Sequence, residues 1–137
     1  MRIWILVALL FWTAHGEVIR FDRATEGSLP AGWIVAMTHA GGASKWEIVR
    51  DDSAPHPSLL LAQVSRDSTA GRFPLAIWDR ASLRNGEVSV AFKPVDGSVD
   101  RAGGIVWRYQ DQNNYYISRL RLRWRQPKAC RPTTTLS

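Results

Sequence analysis

Trp107, Arg108, Tyr109, Asn113, Asn114 and Tyr116 are the residues of this 137-residue chain best suited to gripping a ligand. They fall in one run, DRAGGIVWRYQDQNNYY, from Asp100 to Tyr116. An indole or phenol ring can stack on the apolar C–H face of a pyranose, because the ring face is the negative end of its quadrupole. An asparagine amide both donates and accepts hydrogen bonds, which matches a sugar hydroxyl. Arg108 adds a planar fork of donors. The spacing predicts a β-hairpin: strand Gly103 to Tyr109, turn Asp111-Gln112-Asn113-Asn114, return from Tyr115. On a regular strand Ile105, Trp107 and Tyr109 share one face, and Val106 and Arg108 the other. The same residues also suit plain structure. Ile105 and Trp107 fit a core face, and asparagine is a favoured turn residue. On sequence, the turn residues are better candidates for ligand contact than Trp107.

The remaining chain offers little catalytic chemistry. Retaining glycosidases need two carboxyl groups about 5 Å apart. On a strand that means an i, i+2 pair, and none stands out. Glu87 and Asp100 are single, Asp51-Asp52 are adjacent, and Asp96 and Asp100 flank a turn. His39 and His56 lie in Gly- and Pro-rich loops without metal-ligand spacing. Ser44, Ser53 and Ser58 lack a nucleophile-elbow context. No GxGxxG, Walker, CxxC or HExxH pattern is present, so no nucleotide cofactor or zinc is expected. Asp111, Asn113 and a backbone carbonyl are hard oxygen donors of the kind calcium takes.

The elements that must position these residues are short strands. Apolar runs are broken by turn residues every eight to twelve positions, and no helix is expected. Strands are predicted at 18–22, 33–37, 45–50, 58–64 and 73–78. Asn85-Gly86 signals a further hairpin, because both residues tolerate positive φ. After it, Val88, Val90 and Phe92 alternate with polar or small residues. The fold class is all-β, an antiparallel sandwich.

The first sixteen residues read as a secretory signal peptide: Arg2, an apolar run from Ile3 to Trp12, then small residues before Glu17. That run is half the length of a membrane span of about 20 residues. The expected location is periplasmic or extracellular, with no membrane span after cleavage. Cys130 is the sole cysteine, so no internal disulfide can form. The net charge is +6, yet residues 1–118 hold twelve basic and twelve acidic residues. The whole excess lies in Arg119, Arg121, Arg123, Arg125, Lys128 and Arg131. Aromatics among basic residues can bind single-stranded nucleic acid or anionic glycans. The neutral body gives no reason to expect a nucleic-acid partner.

Several segments together carry a resemblance. They are Phe21-Asp22, Leu29-Pro30-Ala31-Gly32-Trp33, Trp46 with Val49, and Gly103 to Asp111 followed by Asn113-Asn114-Tyr115-Tyr116. Over Val18 to Ile117 the chain resembles the concanavalin A-like lectin/glucanase superfamily. Within it, the chain is most similar to exported bacterial domains related to 3-keto-disaccharide hydrolases, and more distantly to laminin G-like domains. The resemblance implies a jelly-roll of two antiparallel sheets, a concave face that receives carbohydrate or glycan, and in some members a calcium ion. It does not separate binders from enzymes, and the ExDxxE arrangement of the sandwich glucanases is missing. The expected organisation is a signal peptide at 1–16, a sandwich domain at 17–118 and a basic tail at 119–137. Relatives of this kind continue with further strands. The break in composition at Ser118-Arg119 therefore predicts a frameshift or truncation and an incomplete sandwich. The expected function is carbohydrate or glycan binding. The alternatives are a glycoside hydrolase of the 3-keto-disaccharide type and a vestigial fragment with no ligand.

Overall fold

A computed structural model describes residues 16–54, 58–96, 101–121 and, for the backbone, 133–136. Every regular element in it is a strand, and all pairings are antiparallel. Residues 1–15 of the expected signal peptide, His56, Asp100, Cys130 and most of the basic tail lie outside the described residues.

The strands are β1 (Trp33–Thr38), β2 (Trp46–Arg50), β3 (Leu59–Gln63), β4 (Phe73–Trp78), β5 (Gly86–Ser89), β6 (Ala102–Asp111), β7 (Asn114–Arg121) and β8 (Thr133–Leu136). They form four two-stranded sheets. β1 pairs β4 from Trp33↔Trp78 to Thr38↔Phe73. Between them in sequence, β2 pairs β3 from Trp46↔Gln63 to Arg50↔Leu59. The same nesting recurs downstream, where the β5–β8 pair encloses the β6–β7 hairpin. Pro74 lies within β4, opposite Met37. A proline cannot donate to a ladder, and β4 accommodates it as a strand with a single recorded neighbour.

Four of the expected strands are present at or near their expected bounds, and the β6–β7 hairpin is longer than expected. Two expectations are corrected. Residues 18–22 are not a strand: Val18 and Ile19 are exposed, and Phe21 instead packs on Trp33 with ring centroids 5.9 Å apart. The backbone that does reach the sheet comes later, where the Gly27 N–H donates to the Ile48 carbonyl and the Ile48 N–H donates to the Ser28 carbonyl. Asn85-Gly86 does not close a hairpin. Neither residue takes a positive φ, β5 starts at Gly86, and its partner is β8 instead of the preceding strand. The alternation after it survives only over Gly86 to Ser89, where Glu87 and Ser89 are exposed and Val88 is half-buried.

The interior formed by the described residues is small. Among the described residues, Thr38, Ile48, Leu75 and Ile105 are buried. One lies on each of β1, β2, β4 and β6, so each of three sheets contributes to the interior. Phe92 lies against Gly103, where any Cβ would strike its ring. That glycine is needed for close approach, not for backbone freedom.

Candidate functional site

The site is built on the β6–β7 hairpin, and its shape comes from a β-bulge. Up to Trp107↔Tyr116 the register is regular. It then jumps to Asp111↔Asn114, so Arg108, Tyr109 and Gln110 face Tyr115 alone. Arg108 takes a φ of 51°, an uncommon conformation for a residue with a Cβ. A bulge of this kind bends a strand and re-aims its side chains.

The consequence corrects the regular alternation. Trp107 and Tyr116 are cross-strand partners, so their side chains leave the same face. Their rings lie 6.0 Å apart at 20°. The Arg108 guanidinium sits 5.8 Å from the Tyr116 ring centroid. Arg108 therefore joins the Trp107 face. Tyr109 contacts Tyr115 at 6.3 Å, and Tyr115 points opposite to its neighbour Tyr116. Tyr109 thus leaves the Trp107 face. The sequence-predicted set is split: Trp107, Tyr116 and Arg108 come together, and Tyr109 goes to the other side.

The turn is a two-residue loop, Gln112-Asn113, between the paired Asp111 and Asn114. Asp111 organises it. Its Oδ1 accepts from the Asn113 N–H at 2.8 Å, and its Oδ2 accepts from the Asn114 side-chain amide at 2.7 Å. The Asn113 N–H, then the Asn114 amide, hold the Asp111 carboxyl below the usual carboxylate range. Both carboxylate oxygens and one Asn114 donor are thereby used inside the turn. Asn113 and Asn114 remain exposed at the hairpin tip.

The other face of the hairpin is anchored to β1. Buried Thr38 donates its hydroxyl proton to the Gln112 carbonyl at 2.6 Å. The Thr38 and Tyr115 hydroxyls are 2.7 Å apart. A threonine hydroxyl has one proton and Thr38 has spent it, so Tyr115 is the donor to Thr38. On the same face of β7, Arg119 lies 5.0 Å from the Phe73 ring centroid. Tyr115 was not among the residues singled out in the sequence. Its place beside Tyr116 on an alternating strand was the available signal that one tyrosine must face in and one out.

Exposure then distinguishes the two faces. Tyr116 is 57% exposed, whereas Tyr115 is half-buried against Thr38. Trp107 is half-buried and Arg108 exposed. The result is a surface pair of near-parallel rings with a guanidinium beside one of them, on a hairpin fixed from behind. Such a surface can stack on a flat apolar face and donate hydrogen bonds at its rim.

The other candidates are occupied with structure. His39 is exposed at φ 67° beside Phe73, with ring centroids 5.7 Å apart. Ser44 donates to the Ala36 carbonyl, Ser53 to Asp51, and Ser58 accepts from Arg50. Lys93 reaches Asp51 at 3.2 Å. Among the described residues, no group of three or more His, Cys, Asp or Glu could hold a metal ion. No helix among them is long and apolar enough to cross a membrane.

Comparison with protein-family models, with curated proteins and with solved structures finds no match to this chain.

Proposed function

We propose that this chain is an exported carbohydrate- or glycan-binding module of concanavalin A-like, jelly-roll type, and that it binds without a metal ion. The single observation that carries the reading is the Trp107–Tyr116 ring pair with Arg108 beside it, on the outward face of the hairpin. Sugar rings present axial C–H groups to an aromatic plane and hydroxyls around the edge. Two adjacent rings offer the plane, and Arg108 with the exposed Asn113 and Asn114 amides offers edge contacts. The nested antiparallel pairings are the kind of connectivity a jelly-roll uses, which supports the sandwich part of the proposal.

The hydrolase alternative has less support. Asp111 and Asp51 are both tied into turns by neighbouring N–H or O–H donors, and both are held below the ordinary carboxylate range by those bonds. A general acid needs its pKa pushed upward.

A glycan array probed with the mature protein tests the proposal. Trp107→Ala and Tyr116→Ala each remove one ring. Stacking on one aromatic ring is worth about 0.5–1.5 kcal/mol beyond area burial, so each variant should weaken binding about tenfold with burial included. Chelation of calcium should leave wild-type binding unchanged. Array signals that survive both substitutions would remove the platform from the account.

A further inference from the structure

We infer that the Trp107–Tyr116 surface selects acidic sugars, meaning glycans that carry a carboxylate or a sulfate next to the ring that stacks. The inference rests on the glycan-binding reading above and specifies its substrate class.

Three observations on the hairpin support it. First, the bulge removes Tyr109 from this face and brings Arg108 onto it, so an aromatic position is exchanged for a cation. Second, the exchange requires Arg108 to hold φ at 51°. A residue with a Cβ pays a conformational cost there, and such strain persists where the surroundings impose it, commonly at ligand sites. Third, the guanidinium carbon lies 5.8 Å from the Tyr116 ring centroid. This places its donors beside the ring pair. The N–H fork of arginine matches a carboxylate or sulfate in two parallel hydrogen bonds. It carries five donors, so an anionic sugar can engage it alongside the contacts it makes within the protein.

Affinity electrophoresis in polygalacturonate, and in the same polymer after carboxyl reduction, tests the inference. The two gels differ in the carboxylate alone. Wild-type protein should be retarded about tenfold more strongly by the acidic polymer, the factor expected for one charge-assisted pair. Arg108→Gly removes the guanidinium while suiting the positive φ, so folding should be preserved, with circular dichroism as the check. It should lose the preference and keep residual binding to the reduced polymer. Arg108→Lys keeps the charge without the fork and should fall between the two. Arg66→Gln removes an exposed charge elsewhere and should behave as wild type. Equal retardation in both gels, unaltered by Arg108→Gly, would overturn the acidic preference and leave the platform standing. A loss in Arg66→Gln as large as in Arg108→Gly would reduce the effect to overall charge and overturn it too. No retardation in either gel would count against the binding reading itself.

Discussion

Thr38 is the residue on which the hairpin depends. It is 7% exposed, and its hydroxyl joins the Gln112 carbonyl to the Tyr115 hydroxyl. Thr38→Val keeps the shape and removes the link, leaving two polar groups unmatched. The expected loss is about 1–3 kcal/mol, read as a lower midpoint in urea unfolding. Tyr115→Phe removes one donor and leaves Thr38 its bond to the carbonyl, so it should cost less, about 0.5–1.5 kcal/mol. Equal costs would contradict the donor order proposed for this chain of hydroxyls. At this scale the sequence was partly legible. Residue types marked Trp107, Arg108, Tyr109, Asn113, Asn114 and Tyr116 as candidate contact residues, the turn residues ahead of Trp107, and of these Trp107, Arg108 and Tyr116 come together on one face. What they could not reveal was the bulge. Nothing in Trp107-Arg108-Tyr109 announces that a non-glycine residue will take φ 51°, since the hairpin as a whole imposes it. That one angle decides which of Arg108 and Tyr109 shares a face with Trp107.

Two elements held by loops illustrate how polar contacts stand in for a larger core. The 41–42 loop and the 65–72 loop are joined through Asp67 and Arg72. Asp67 accepts from the Thr69 hydroxyl at 2.6 Å and the Thr69 N–H at 2.8 Å, and also from the Gly42 N–H. Arg72 bonds the Gly42 carbonyl at 2.9 Å and pairs with Asp67 at 3.1 Å. These contacts, led by the Thr69 hydroxyl, lower the Asp67 pKa to about 2 from an ordinary 3.8. The folded state therefore binds its proton later than the unfolded chain as pH falls. The stabilisation is complete above about pH 4 and disappears as pH drops through about 2. Following the Gly42 amide resonance by NMR should show this loop contact released between pH 4 and 2. An unchanged resonance over that range would contradict the pairing. Elements were the most legible scale. β1, β2, β3 and β4 follow from apolar runs bounded by Gly, Pro and Asp. The failures were local signals overridden by pairing. Asn85-Gly86 suits a tight turn, yet no strand precedes it closely enough to form one, because β4 ends at Trp78 and pairs back to β1. Residues 18–22 carry an apolar run and find no ladder partner.

Among the described residues the interior is small. Four residues among those described are buried, while Ile34, Val35, Ile117 and Leu120 are each about two-fifths exposed on β1 and β7. Exposed apolar groups on strands with an open edge favour association and dye binding. The protein should bind a hydrophobic dye strongly and unfold over a broad temperature range. A sharp, reversible transition without dye binding would contradict this picture of the interior. β7 runs across the compositional break at Ser118-Arg119 as far as Arg121, and Thr133–Leu136 pairs with β5. Against this modest interior, the β6–β7 hairpin stands out as the part whose side chains are organised on both faces, one anchored to β1 and one open. Its open face is the central claim, and saturation-transfer NMR tests it most directly. With the strongest glycan from the array, irradiation of the aromatic protons should saturate the axial C–H protons of one sugar face, and Trp107→Ala should abolish the transfer. Saturation spread evenly over the sugar, or undiminished in Trp107→Ala, would contradict it.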